Sequence, residues 1–235
     1  MSFVQHPVFA RFMAWRAARN EQLGQGEIRD EHLAGLTGVV IEPGAGSGVS
    51  FAHYPATVTE LIAVEPGDYL REQATEAARQ ARLPVRVVEG TAERLPAEDG
   101  SADAVAVSGM LCSVEDPAAV LAEFRRVLRP GGELRFYEHV RSRDPLLGRL
   151  QDAADLVWPR LMGGCHPNRD TLAAIREAGF TVTACRGLVF PPGSRFYMVG
   201  SRILGVARSG PAAALSAGTV SCPGTSGWRA RPRTG

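Results

Sequence analysis

Two carboxylates and three glycines carry the first chemical signal in this chain. The apolar run "VVIEPGAGSGVSF" (39–51) stops at Glu42, and glycines follow at Gly44, Gly46 and Gly48. Glycine lets a backbone bend sharply and lets a ligand come close to it. A dinucleotide fingerprint would put its third glycine where Val49 stands, and a P-loop would end in Gly-Lys-Ser/Thr, which is absent. An acid directly before the loop repels a pyrophosphate and attracts a cation. A second acid, Glu65, with Pro66 beside it, ends the run "ELIAVEP" and suits the two hydroxyls of a ribose. A cationic nucleoside without phosphate fits both acids. S-adenosylmethionine, with its ammonium and sulfonium groups, is such a ligand.

Further candidates extend the same site. The turn in "EGTAERLP" offers Thr91, the Ala92 amide and Glu93 to an adenine edge, and "VSGMLCSV" brings Ser108, Gly109 and Met110 to the crevice. His139 and His166 are candidate bases, with Tyr137 a weaker one. Cys165 and His166 are adjacent, so their side chains diverge, and no second ligand pair has metal-site spacing; no metal is expected. Cys112 reads as a small buried hydrophobe.

These residues need a scaffold that gathers strand ends. Strands are expected at 38–43, 60–65, 84–90, 102–108 and 132–140, each apolar and bounded by Gly, Pro or Asp. Helices are expected between them at 68–83 and 116–128. Such alternation predicts an α/β domain with an open, mostly parallel sheet, binding its ligand beyond the carboxyl ends of the strands. Later come a helix in "DPLLGRLQDAADLVWPRL" running towards Trp158, and one in "NRDTLAAIREAGF" capped by Asn168 and stopped by Gly179. Two more strands are expected at 181–190 and 195–207. The organisation reads as an N-terminal helical lid (1–34), one domain (35–208) and a Gly/Pro/Ser/Ala-rich disordered tail (209–235). In the lid, Val4, Val8 and Phe12 fall at helical spacing, with Phe9, Met13 and Trp15 beside them.

The 235 residues carry a net charge of +1 and 45% hydrophobic residues, and every Lys/Arg position is Arg. That balance argues against a nucleic-acid partner. No apolar run is long enough to span a bilayer, and no secretory signal opens the chain, so a cytoplasmic protein is expected. Four scattered cysteines give no disulfide framework, which fits a reducing compartment.

The motifs "VVIEPGAGSG", "AVEP", "GTAERLP", "ADAVAVS" and "LAEFRRVLRPGG" together resemble the class I S-adenosylmethionine-dependent methyltransferases, in particular the type-11 methyltransferase domain, over roughly 35–140. "LCSVEDP", "RFYEHVRS" and "GGCHPNRDT" resemble a narrower group, bacterial relatives of the methyltransferase-like proteins that methylate small alkyl thiols. The resemblance implies a doubly wound, Rossmann-like seven-stranded sheet with the last strand antiparallel. It implies cofactor contacts at Glu42, Gly44, Ala45, Gly46, Gly48, Glu65, Thr91, Ala92 and Ser108, and a small-molecule methyl acceptor. A quinone-type C-methyltransferase and a non-catalytic cofactor-binding protein are the alternatives.

Overall fold

The computed structural model describes residues 7–194, 197–210 and 222. The expected tail therefore lies outside the described residues except at its start and at Cys222, and Val4 of the lid stripe lies outside them too. Among the described residues seven strands form one sheet: β1 (Gly38–Pro43), β2 (Val58–Val64), β3 (Val85–Val88), β4 (Ala102–Ser108), β5 (Leu128–His139), β6 (Phe180–Val189) and β7 (Ser201–Ser209). Their order is β3-β2-β1-β4-β5-β7-β6. The β1–β2, β1–β4, β2–β3 and β4–β5 pairs are parallel, and β7 runs antiparallel to both β5 and β6. The doubly wound α/β sheet and its antiparallel last strand agree with the expectation. Chain order reverses at β1–β4, so a crevice opens beyond those two strand ends.

Burial explains why the central strands read as continuous apolar runs. Val40, Ile41, Leu61, Ala63, Val64, Val105 and Val107 are all buried, and helices cover both faces. One core packs Ile41, Val64, Val105, Val107 and Phe136 against Val120, Leu121 and Phe124. These last three lie on α4 (Pro117–Val127), and the other face is covered by Leu33, Phe51, Ala74 and Leu83.

The helices are α1 (Pro7–Asn20), α2 (Gly26–Leu33), α3 (Asp68–Gln80), α4 (Pro117–Val127), α5 (Pro145–Ala154), α6 (Trp158–Leu161) and α7 (Thr171–Glu177), with a short wide turn, Glu21–Gln25, between α1 and α2. In α4 the Asp116 carboxylate accepts from the Ala118 and Ala119 amides, with Pro117 in the first turn, as its sequence announces.

Three local expectations change. The helix towards Trp158 is two helices, because in a continuous helix Pro159 would have no amide for the Asp155 carbonyl and its ring would crowd that carbonyl. The cap of α7 is Asp170, accepting from the Ala173 amide, while Asn168 turns away to Asp152. Gly179 does stop α7, its amide donating to the Arg176 carbonyl with φ at 82°. Last, Cys185 on β6 is disulfide-bonded to Cys222, across 37 residues. Scattered spacing hides which cysteines a sheet edge brings together, so the cysteine argument for a reducing compartment falls away. Among the described residues no helix is long and apolar enough to cross a membrane.

Candidate active site

A cavity of about 790 Å³ opens at the carboxyl ends of β1, β2 and β4. Its floor is the glycine loop. The Gly44 and Ala45 amides both donate to the Val64 carbonyl at 2.8 and 3.2 Å, which ties the loop to the end of β2. Gly46 has φ at 59° and open space where a side chain would stand, so its backbone is bare towards the cavity.

Glu65 is held by that backbone. Its Oε2 accepts from the Gly46 amide and its Oε1 from the Gly67 amide, each at 2.9 Å. Each carboxylate oxygen thus keeps a lone pair for a ligand hydroxyl. Burial raises the Glu65 carboxyl above its usual value, against the Gly67 and Gly46 amides that favour the anion. Glu42 is also buried, and its carboxylate accepts from Ser50 Oγ at 2.7 and 2.8 Å and from Tyr54 Oη at 3.0 Å. Burial pushes it up to about 7, while the two hydroxyls pull the other way.

Most of the expected site residues line this one cavity: Glu42, Gly44, Ala45 and Gly46 from the first loop, Glu65 and Pro66 from the second, Thr91, Ala92 and Glu93 from the third, and Ser108 and Gly109 from the fourth. The third loop is closed by the Arg94 amide donating to the Thr91 carbonyl at 3.2 Å. Gly48 stands behind the wall instead. A Cβ there would lie 2.6 Å from Phe51 and 2.9 Å from Ala77, with φ at 77°, so this glycine lets the loop pack onto the helix layer.

The two candidate bases separate. His166 lines the cavity, and its Nδ1 lies 2.9 Å from Asp155 Oδ1. His139 lies behind the wall, buried, with Nε2 3.2 Å from Cys165 Sγ and, among the described residues, no hydrogen-bond partner for Nδ1. Tyr137 is buried beneath the Arg202 guanidinium, whose carbon sits 5.0 Å from the ring centre.

Other contributors gave no signal in the sequence. Arg29 of α2 lines the cavity near Glu42, its Nε 2.6 Å from Glu21 Oε1. Asp155 follows α5, eleven residues before the histidine it faces. Glu138, fully buried at the end of β5, accepts from the Met110 and Leu111 amides at 2.9 and 3.1 Å and shapes the loop after β4. Arg169 Nη1 donates to the Leu111 and Val114 carbonyls, each at 2.7 Å, and clamps the same loop from the far side. On α1, Phe9, Met13 and Ala17 face the cavity, whereas Val8, Phe12 and Trp15 are exposed. The inward face of the helix is therefore the Phe9–Met13–Ala17 side and not the Val8–Phe12 stripe.

Residues 41–136 match the family model for the methyltransferase domain of type 11. The mouse thiol S-methyltransferase TMT1B is 32% identical over 210 residues, covering 85% of each chain. Its human counterpart is 31% identical over 184 residues, covering 74% of each. The chain belongs to the class I S-adenosylmethionine-dependent methyltransferases. A Thermotoga maritima methyltransferase, described as a possible histamine N-methyltransferase, shares the fold at a TM-score of 0.61 and 24% identity, over 86% of this chain and 98% of that one.

In this methyltransferase the cofactor is S-adenosylmethionine. The donor set of the cavity fits it. Two buried carboxylates and a bare loop amount to a site for a cation with a ribose, and the Arg29 guanidinium can meet a carboxylate.

Proposed function

We propose that this methyltransferase methylates a small thiol. The observation that carries the reading is the joining of two halves in one cavity: an acidic, glycine-floored half, and an apolar half with one oriented histidine. The thiol activity printed for the relatives at 31–32% identity supports the choice of acceptor.

Glu65 would accept the ribose hydroxyls, Glu42 would face the cationic end, and Arg29 would hold the cofactor's carboxylate. Thr91, Ala92 and Glu93 would border the adenine. When bound, S-adenosylmethionine supplies a sulfonium methyl group, and S-adenosylhomocysteine is left once that group has moved to the acceptor. Positive charge fades from sulfur as this happens, so weakly polar walls suit the step. Phe9, Met13, Met110, Val114 and Met162 provide such walls, and α1 acts as the cover that limits water.

His166 takes the proton from the acceptor thiol. Asp155 holds the imidazole by one nitrogen and leaves the other for the acceptor. A thiol is easily ionised and strongly nucleophilic, so the demand on this base is small and positioning dominates.

The test offers methyl-labelled S-adenosylmethionine with a panel of alkyl thiols, phenols, amines and quinone precursors. Label is expected in the thioether product. Transfer to phenols or quinone precursors, with thiols left unmodified, would remove the thiol reading.

A further inference from the structure

Behind the acceptor wall three side chains from distant parts of the chain converge. Cys112 comes from the turn after β4, His139 from the last residue of β5, and Cys165 from the loop after α6. Their Sγ and nitrogen ligand atoms all lie within 4.8 Å of one another, and Cys165 Sγ to His139 Nε2 is 3.2 Å. Two thiols and an imidazole are soft and borderline donors, the set that zinc takes. Ligands on a tetrahedral zinc, at about 2.3 Å for sulfur and about 2.0 Å for nitrogen, stand roughly 3.5 to 3.8 Å apart. The cluster already has that scale.

We propose that Cys112, His139 and Cys165 bind a zinc ion that clips together the two loops forming the acceptor end of the crevice. Three protein ligands is the count of sites that keep one position for an outside ligand. The thiols give up their S–H protons to solvent as the ion binds.

The loops involved are already close. The His166 amide donates to the Cys112 carbonyl at 2.8 Å. Gly164 packs its Cα so near the Ser113 carbonyl that an added Cβ would sit 2.8 Å from that oxygen. Gly109, Met110, Ser113 and Val114 of one loop line the cavity, as do Gly163, Gly164 and His166 of the other. A metal holding Cys112 to Cys165 would therefore fix the wall that carries His166. No bond to the cofactor and no particular acceptor is needed, so this inference stands apart from the thiol reading.

The experiment uses the whole chain, kept reduced, loaded with Zn(II) and then freed of excess ion. Stoichiometric retained zinc is expected, as is a near-ultraviolet thiolate-to-cobalt band on Co(II) substitution. Both should be lost in Cys165→Ser and in His139→Asn, while S-adenosylmethionine binding, measured separately, reports that each variant is folded. Chelation should lower the melting temperature of the wild type and leave the Cys165→Ser melt unchanged. The proposal is overturned if reduced wild-type protein retains no zinc, or if Cys165→Ser retains as much as wild type.

Discussion

The two halves of the cavity are built in different ways. The cofactor half rests on short connections: Glu65 is 19 residues from the Gly46 amide it accepts from and two from Gly67. Its polar groups are backbone amides and two strand-end acids, Glu65 fixed by amides and Glu42 by the Ser50 and Tyr54 hydroxyls. The acceptor half is assembled from pieces far apart. Arg169 clamps a loop 55 to 58 residues away, His166 meets Asp155 across a helix break, and α1 supplies Phe9 and Met13 from the start of the chain. A common cofactor calls for the first construction. The second is free to vary on a fixed sheet.

If the comparison is right, damage to one half should spare the other. The largest effect is expected from Glu65→Ala. Losing two hydrogen bonds to a charged group costs roughly 3 kcal/mol, about a hundredfold in S-adenosylmethionine affinity. Calorimetry should show this for every acceptor tested, and unchanged affinity would mean the ribose lies elsewhere.

Gly48→Ala should follow, with a loss of about 2 to 3 kcal/mol in stability. Its φ of 77° and the contacts to Phe51 and Ala77 both oppose a side chain. Denaturant melts check the loss, and a melt equal to wild type would show that the loop relaxes freely.

His166→Ala should lower kcat/KM for the acceptor by about tenfold, less than the roughly hundredfold or more of a typical general base, because a thiol needs little help. Cofactor affinity measured in parallel should stay the same. A matching fall in both would erase the division between the halves.

The smallest effect concerns pH. With its carboxyl raised to about 7, Glu42 binds a proton in the folded, cofactor-free protein over the range in which the unfolded chain has already lost it. This group's contribution to stability therefore falls as pH rises from about 4.5 to about 7. A cation prefers the ionised form. Cofactor affinity should thus climb several-fold through that upper limit, before the ligand's own amino group begins to lose its proton at about 7.7. Glu42→Gln should flatten the climb, and a flat wild-type profile would mean that Glu42 stays charged in the empty site.

What could be read from the sequence follows the same division. Glu42, the glycine loop and Glu65 were legible because acid and glycine positions sit at strand ends, and strand ends show as changes of hydrophobic pattern. Gly48 does not line the cavity, and spacing alone cannot tell a glycine facing a ligand from one facing Phe51. Arg29 and Asp155 left no mark, since a charged residue on a helix reads the same whether it faces water or a cavity. Cys112 read as a plain hydrophobe for a related reason: its partners are 27 and 53 residues further along.

The chain's own order of residues determined the sheet, its parallel strands and the acid-glycine-acid frame, because period and punctuation are local properties set by backbone sterics and burial. Only the tertiary structure decided that His166 faces the cavity while His139 joins two cysteines behind it, that α1 turns Phe9 and Met13 inward, and that Cys185 reaches Cys222. Those outcomes depend on how distant segments pack, and packing between segments has no signature in the spacing within any one of them.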